Sequence, residues 1–241
     1  MIYYVFIFGA ALFLFERIRP GKPYVKSSLW YTRAIILNIT SLLVLWLGSV
    51  TWDKWLHGYS LFEMNNDLAD PVNGFIGYFV FTFFFYWWHR ARHKSQFLWK
   101  AFHQLHHSIT RIEILSSFYL HPLDMASSLL LGSITSYIIL GLSFESVAWF
   151  NLYLGCMAYF IHSNIRVPHQ LGYLLQTPQM HRRHHMHNAH DSNYCDLVLW
   201  DMIFGTYKNQ IDPCDKCGFD KDVENKVIDM LLLKDVNKNS S

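Results

Sequence analysis

The sequence predicts an all-α integral membrane protein with about four to five transmembrane helices, the last two forming a hairpin, and a cytosolic helical cap. Three observations support this fold class. The composition is 52% hydrophobic and 17% aromatic but only 16% charged, which is more apolar than an ordinary soluble domain. Long uncharged runs account for the excess of apolar residues. Three clusters of closely spaced histidines lie near the ends of these runs.

Four uncharged or nearly uncharged runs are candidate membrane spans. A bilayer core requires about 20 helical residues, with about 17 as the lower limit. The second and third runs therefore make one span each, and the fourth is long enough for a hairpin that turns near residues 141–145. The first run is interpreted as a short span, because it lacks the basic start and the small-residue cleavage site of a signal peptide. The runs cover residues 1–15, 34–52, 72–88 and 125–161.

The charges of the loops predict the orientation of these spans. Lys and Arg accumulate in cytoplasmic loops, and five of them follow the first run, whereas Lys54 is the single basic residue between the second and third runs. The first loop is therefore predicted to be cytoplasmic, and the hairpin returns the chain to that side at His162. All three histidine clusters then face the cytosol. The five basic residues are Arg17, Arg19, Lys22, Lys26 and Arg33.

The spacing within the histidine clusters predicts metal binding. Residues three and four apart share one face of a helix, so each cluster presents at least two imidazoles in one direction. A single histidine is usually structural, and a pH sensor would explain abundant histidine but not this repeated spacing. Because structural zinc takes four ligands and hexacoordinate metals six, eight clustered histidines favour two metal ions. The clusters are His89-x3-His93, His103-x2-His106-His107 and His181-x2-His184-His185.

The remaining chain is interpreted as one domain with a tail. Residues 89–124 are too polar to span and read as an amphipathic piece at the interface, and residues 163–207 form a short cytosolic cap. The domain is predicted to cover residues 1–208, followed by a polar C-terminal tail at 209–241. The pair Cys214-x2-Cys217 has zinc-ligand spacing without a second pair, so two ordinary cytosolic thiols are favoured.

The ordered series of histidine motifs resembles the fatty acid hydroxylase superfamily, often called the sterol desaturase family. Four other pieces of sequence agree with this resemblance, which covers approximately residues 10–208. They are FERIRP after the first run, YLHP at His121, HSN at His162, and DSNYCDLVLWDMIFGTY from Asp191 to Tyr207.

The resemblance implies a membrane-bound oxygenase with two Fe ions, which uses O2 and external electrons to hydroxylate or desaturate a C–H bond of a sterol, fatty acyl or alkylglycerol lipid. The eight clustered histidines match the ligand motifs of the family, and His162 matches a further histidine. Some relatives have another histidine one turn before this position, where the chain has Met157 and Ala158, so His121 is a candidate replacement. The implied metal ligands are His89, His93, His103, His106, His107, His121, His162, His181, His184 and His185.

Partners and supporting residues follow from the same interpretation. Electrons are expected from a separate ferredoxin or small cytochrome with its reductase, because the chain has neither a Gly-rich nucleotide loop nor a haem-attachment motif. Arg182 and Arg183 could dock that protein or contact anionic headgroups. The side chains that could orient ligand imidazoles are Asp191, Asn193 and Asp201, although Asp191 could equally cap a turn. Of the nearby histidines, His187 and His190 are expected to be exposed.

Other functional classes fit less well. A net charge of +2 with scattered basic residues gives no nucleic-acid footprint. A metal transporter should carry ionisable residues within its spans, and these runs contain almost none. A membrane metalloprotease should carry an H-E-x-x-H motif, which none of the three clusters supplies. A noncatalytic metal-binding or metal-transporting membrane protein stays open as the alternative. A bacterial inner membrane is favoured over the endoplasmic reticulum, because the chain is short and shows no recognisable retrieval tail.

Overall fold

The computed structural model describes residues 1–64, 68–187, 189–211 and 216–236 of the 241-residue chain. Within these ranges every extended regular element is helical, which confirms the all-α prediction. The α-helices are α1 (Ile2–Ile18), α2 (Trp30–Val50), α3 (Trp52–Leu56), α4 (Asp70–Lys94), α5 (Gln96–Leu98), α6 (Gln104–His107), α7 (Pro122–Ser133), α8 (Phe144–His162), α9 (Pro178–His184), α10 (Val198–Ile203), α11 (Lys221–Glu224) and α12 (Val227–Leu231). Two π-helical turns, Trp99–His103 and Ile134–Ile139, and two 3-10 turns, Ile114–Ser116 and His169–Tyr173, complete the set.

Among the described residues, two helical segments are long and apolar enough to cross a membrane, by length and composition alone. One is Trp30–Leu56, in which α2 continues into α3, and the other is Pro122–Ile139, in which α7 continues through a π-helical turn. The outer sides of α1 and α4 are also lined with exposed apolar residues, such as Ile7 and Phe75. The number of four to five spans remains a prediction.

The long helices pack side by side in the order α2, α7, α4, α8, α1. Helix α8 lies against α4 over much of its length, α1 packs on α8, and α2 packs on α7. Small residues permit the close approach of α4 and α8, as in many membrane-type helix pairs. A Cβ atom on Gly74 would lie 2.6 Å from the Ser146 carbonyl oxygen. Next to this contact, Tyr78, Phe81 and Phe150 are buried in one apolar cluster. The part of α4 that precedes its C-terminal histidines is therefore anchored by packing against α8.

A turn lies where the sequence predicts the end of a hairpin arm. The π-helical continuation of α7 ends at Ile139, and α8 begins at Phe144. Gly141 has φ +60, a conformation in which glycine avoids the steric cost of a side chain, and the Ser143 hydroxyl accepts a hydrogen bond from the Ser146 N–H as the N-cap of α8. Both arms contact α4, and α8 returns to the side of the molecule that carries the histidine clusters.

A buried carboxylate fastens the end of α1 to the segments around the histidines. Glu16, in the FERIRP motif, is fully buried. Its Oε2 accepts a hydrogen bond from the Asn164 backbone N–H at 2.7 Å, two residues after His162, and its carboxylate also accepts from the Ile114 N–H. The neighbouring carboxylate of Glu113 accepts from Trp30 Nε1 at 2.5 Å. The first two helices are therefore tied to the loops that hold the site.

The segment predicted as a polar tail packs onto the helices where the structure describes it, at residues 216–236. Phe219 and Met230 are buried in one cluster with Trp30 and Leu105. Gly218 donates its N–H to the His185 carbonyl oxygen at 3.0 Å. The sequence pattern concealed this packing because a few apolar residues are spread among many charged ones. Cys214 of the Cys-x2-Cys pair lies outside the described residues.

Exchanging Gly218 for alanine is expected to destabilise the protein more than the same exchange at Gly205. Both glycines have positive φ, +72 and +74, where a side chain costs about 1–2 kcal/mol. A Cβ atom on Gly218 would also lie 2.1 Å from the Ile109 carbonyl oxygen, whereas one on Gly205 meets nothing within 4 Å. The melting temperature of each variant in detergent measures the difference, and equal losses would contradict the close packing of this segment.

Candidate metal centre

Four parts of the chain bring nine histidines together at one end of the helices. The end of α4 supplies two, the stretch from the π-helical turn through α6 supplies three, the end of α8 supplies one, and α9 with its C-cap supplies three. They form two groups, and the nitrogen atoms offered within each group lie within 4.8 Å of one another. Group 1 contains His89, His93, His103, His107 and His184; group 2 contains His106, His162, His181 and His185.

Each x2-His-His cluster is divided between the two groups. His103 and His107, four residues apart, enter group 1, while His106 enters group 2. The other cluster divides in the opposite sense, because His181 and His185 enter group 2 and His184 enters group 1. Adjacent helical residues point in directions about 100° apart, so neighbouring histidines reach different groups. The rings of His107 and His185 stack across the boundary with centroids 4.2 Å apart, and the two groups therefore adjoin.

The distances between ring nitrogens fit coordination of a cation. In group 1, His103 Nε2 lies 2.9 Å from His89 Nε2 and 3.2 Å from His107 Nε2. In group 2, His162 Nε2 lies 2.9 Å from His181 Nε2 and 3.3 Å from His106 Nε2. Metal–imidazole bonds of about 2.0–2.1 Å place two ligand nitrogens about 2.9 Å apart at a right angle and about 3.4 Å apart at a tetrahedral angle. The spacing of the Nε2 atoms in each group therefore fits one bound transition-metal ion.

Hydrogen bonds to Nδ1, on the side of each ring that points away from the groups, determine that Nε2 faces the group. When Nδ1–H donates to a carbonyl or carboxylate, Nε2 keeps its lone pair for a metal. His89 Nδ1 lies 2.7 Å from the Tyr194 carbonyl oxygen and His184 Nδ1 lies 2.7 Å from that of Ser192. The same arrangement holds for His162 with Ala158, for His106 with Tyr119 and for His103 with the Asp124 carboxylate.

Several nitrogens within the groups have no hydrogen-bond partner among the described residues. Both ring nitrogens of His93 are buried and unpartnered, and so is His184 Nε2. Buried polar atoms without a partner are rare and call for an explanation. A cation bound by the lone pairs would account for them, so the residues present fit a metal centre.

Burial keeps these imidazoles in the neutral form that binds metals. Loss of solvent lowers the pKa of His184 to about 3, because the charged imidazolium is disfavoured in a medium of low polarity. Burial likewise lowers the pKa of His107, and the neighbouring His185 lowers it further. His181 and His185 show the same direction. Protons therefore do not compete with a cation at neutral pH.

His121 lies apart from both groups. It is the N-cap of α7, and its Nδ1 accepts a hydrogen bond from the Leu123 N–H at 3.1 Å. Its Nε2 lies 3.3 Å from the Leu231 carbonyl oxygen, where it can donate. Both ring nitrogens are thus engaged elsewhere, and Pro122 occupies the first helical position, where proline is favoured. The His-Pro element starts a helix here.

The three predicted orienting residues occupy different positions around the centre. Asp191 is exposed and forms ion pairs with Arg183 and Lys208. Asn193 has φ +58 and donates to the carbonyl oxygens of Met180 and Lys208. None of these contacts involves a histidine of the two groups.

Asp201 acts on a ligand ring through the backbone. Its carboxylate accepts hydrogen bonds from the N–H groups of Tyr194 and Cys195 and from the Thr206 hydroxyl. The Tyr194 carbonyl oxygen in turn is the partner of His89. Asp201 therefore holds the turn that orients His89 without touching the ring.

Sequence reasoning missed a buried ion pair beside the centre. Asp124 accepts a hydrogen bond from Arg92 and a second from His103 Nδ1, at 2.9 Å for the latter. Arg92 and Asp124 are both almost fully buried. The HPLD segment at residues 121–124 gave a weak signal, because Asp124 is an acidic residue in an apolar stretch. The contact between Arg92 and Asp124 depends on the packing of α4 against α7.

His190 differs from expectation, and the two arginines have partners within the protein. His190 was expected to be exposed, but it is largely buried, its ring centroid lies 4.6 Å from that of His107, and burial lowers its pKa to about 4. Arg183 is buried and paired with Asp191. Arg182 donates to Asn164 Oδ1 at 3.1 Å. These contacts contribute to the fold, and the docking of a redox partner or of anionic headgroups by the two arginines stays a prediction.

In the described residues, a helical fold gathers nine histidines into two adjoining groups, each able to hold a metal ion. These features define the structural class as a helical protein with a candidate two-metal histidine centre. The sequence profile described as fatty acid hydroxylase matches residues 74–206, more than half of the chain. The chain belongs to the fatty acid hydroxylase family, within the fatty acid hydroxylase and sterol desaturase superfamily, as its motifs predicted.

Individual relatives are similar over part of their length. Ornithine lipid hydroxylase OlsE of Rhizobium tropici is 30% identical over 142 residues, which cover 57% of this chain and 42% of the relative. Alkylglycerol monooxygenase of Homo sapiens is 29% identical over 178 residues, covering 71% and 36%. Sphinganine C4-monooxygenase 1 of Arabidopsis thaliana is 25% identical over 126 residues, covering 51% and 48%. The chain thus spans less than half the length of these relatives. No solved structure matches it.

Proposed function

We propose that this protein is a di-iron, O2-dependent hydroxylase of a lipid that carries a long alkyl chain. The observation that supports this most strongly is the pair of adjoining imidazole groups in a chain of this family. The relatives compared above are named as hydroxylases or monooxygenases of ornithine lipid, alkylglycerol and sphinganine. These lipids share an alkyl chain and differ in the polar end, so the alkyl chain is the proposed site of reaction.

The side chains present would hold two cations and keep water from them. Group 1 offers five neutral imidazoles and group 2 offers four. Iron bound there would supply the redox chemistry that oxidation of an unactivated C–H bond with O2 requires. The nitrogen donors alone suit iron, zinc or copper, so iron is proposed from the family. Electrons are proposed to come from a separate ferredoxin or small cytochrome.

Access to the centre is proposed to come from the membrane side. The C-terminal segment covers the other side, where Phe219 donates its N–H to the Ser108 carbonyl oxygen and Gln104 donates to that of Lys234. On the membrane side, aromatic side chains of α4, including Phe85, lie next to His89. An apolar surrounding of this kind would exclude water from a reactive centre and accept an alkyl chain.

Purified protein from iron-replete cells tests the proposal in two steps. We expect about two irons per chain and, with a chemical or protein reductant, a lipid product that carries one atom of 18O from 18O2. The matched control is His57→Ala, which removes an exposed histidine outside both groups, and it should retain metal and product. Stoichiometric zinc, or metal without an O2-dependent product from any lipid tested, would instead support the noncatalytic alternative.

A further inference from the structure

The chain leaves the metal centre after Tyr194 and runs along α4 away from the histidines. The Tyr194 carbonyl oxygen contacts His89 Nδ1. The next residue, Cys195, contacts the Thr82 carbonyl oxygen through its Sγ at 3.2 Å, and the carboxylate of Asp196 accepts from the Tyr78 hydroxyl at 3.3 Å. Over three residues the contacts thus move by eleven residues of α4, about 16 Å of helix.

Helix α10 then brings the chain back along the same side of α4. Trp200 donates its Nε1–H to Thr82 Oγ1 at 2.9 Å, and its ring packs on Phe79 and Phe83. Further on, the ring of Phe204 lies 5.2 Å from that of Tyr86 and 4.7 Å from that of Trp87. Residues 194–204 therefore form a hairpin whose tip, at Asp196, is the part farthest from the metal centre.

The part of α4 that the hairpin contacts belongs to the predicted span at residues 72–88. Phe79 and Trp87, which touch the hairpin, also have exposed surface on the outside of the molecule. The outward residues of α10 continue this surface. Leu199, Met202 and Ile203 are 41%, 40% and 58% exposed. A contiguous apolar surface of this kind marks a site of interaction with another molecule or with a membrane.

Polar groups of the hairpin are turned inward. Asp201 is the single charged residue of α10, it is fully buried, and it binds backbone N–H groups. The Asp196 carbonyl oxygen accepts from the Gln176 N–H at 2.7 Å, and Gln176 Nε2 donates to the Asn193 carbonyl oxygen at 2.6 Å. Non-helical backbone is tolerated at membrane depth only where the protein satisfies its polar groups, and these contacts do so for the N–H groups of Tyr194 and Cys195 and for the carbonyl oxygens of Asn193 and Asp196.

We propose that residues 194–204 are a re-entrant hairpin whose outward face contacts the acyl chains of bilayer phospholipids, with Leu199 more deeply immersed than Ile203. Acyl chains fit this surface because it is apolar, uncharged and continuous with the exposed aromatic side of α4. The proposal rests on the placement of α4 in the bilayer and is independent of the metal and of the reaction. Chain order gives the depths, since Leu199 is nearer the tip and Ile203 nearer the metal centre.

Site-specific fluorescence quenching tests both the contact and its depth. A fluorescent amino acid is incorporated genetically at Leu199, at Ile203 or, as a matched control, at Ile228, which is 73% exposed on the short helix α12. Each protein is reconstituted in phosphatidylcholine vesicles that contain a nitroxide on the headgroup, on carbon 5 or on carbon 12 of the acyl chain. Aqueous iodide serves as the polar quencher, and the melting temperature of each variant verifies that it is folded.

The proposal predicts a distinct order of quenching. Iodide should quench the probes at Leu199 and Ile203 at least about tenfold less than the probe at Ile228, because an ion is excluded from hydrocarbon. The carbon 12 nitroxide should be the strongest lipid quencher at Leu199, and the carbon 5 nitroxide at Ile203. Iodide quenching equal to that at Ile228 would overturn the contact. Protection from every quencher would indicate a second copy of the chain, and a reversed depth order would overturn the hairpin.

Discussion

Replacing His184 or His185 with alanine is expected to remove one metal ion per chain in each case, and the double variant is expected to lose both. The two residues are adjacent in sequence, but His184 belongs to group 1 and His185 to group 2. Loss of a hydrogen-bonded neighbour alone lowers metal affinity about 10–100-fold, so loss of a ligand should lower it at least that much. Elemental analysis and competition with a chelator measure the change.

The two single variants are controls for each other, because they alter the same short stretch of chain. Partial unfolding at the end of α9 would make both variants lose both ions. A double variant that retains as much metal as either single variant would show that the histidines do not form two separate sites.

Replacing Asp124 with leucine is expected to destabilise the protein and to weaken metal binding in group 1. Its carboxylate accepts hydrogen bonds from Arg92 and from His103 Nδ1. Removal of one partner of a buried ion pair costs about 3–5 kcal/mol, because the other charge remains buried without compensation. His103 also loses the acceptor that fixes its orientation, so group 1 should lose about 10–100-fold in metal affinity.

A double variant, Arg92→Met with Asp124→Leu, separates these two effects. Replacing both members of a buried ion pair with apolar residues is often neutral for stability, so the melting temperature should recover toward that of the parent. The affinity of group 1 should stay low, because His103 still lacks its acceptor. Recovery of both properties would show that Asp124 serves stability alone, and Asp124→Asn, which keeps an acceptor, should retain most of the affinity.

Local pattern was sufficient to predict much of this protein. Runs of apolar residues and the spacing of histidines depend on the helical period alone, and they predicted an all-helical chain with histidines gathered at one end. The turn before Phe144 was predictable for the same reason, since Gly141 and Ser143 follow a long apolar run. These features require no knowledge of which helices meet.

Features that depend on tertiary contacts were not predictable. The allocation of histidines to the two groups follows from how α6 and α9 face each other. The π-helical turn that ends at His103 also alters the direction of the His103 ring in a way that spacing does not reveal. The pairing of Arg92 with Asp124 joins residues 32 positions apart. His121 was ambiguous, because a His-Pro element suits an N-cap as well as a ligand motif.

The allocation of adjacent histidines to different groups has a geometric consequence. His106 and His107 are joined by one peptide unit, as are His184 and His185, and consecutive Cα atoms are always about 3.8 Å apart. At each of these two places, one peptide unit therefore joins a residue of group 1 to a residue of group 2. These links limit how far apart two bound cations could lie, so the separation of the cation positions should depend on the polypeptide more than on the identity of the ions.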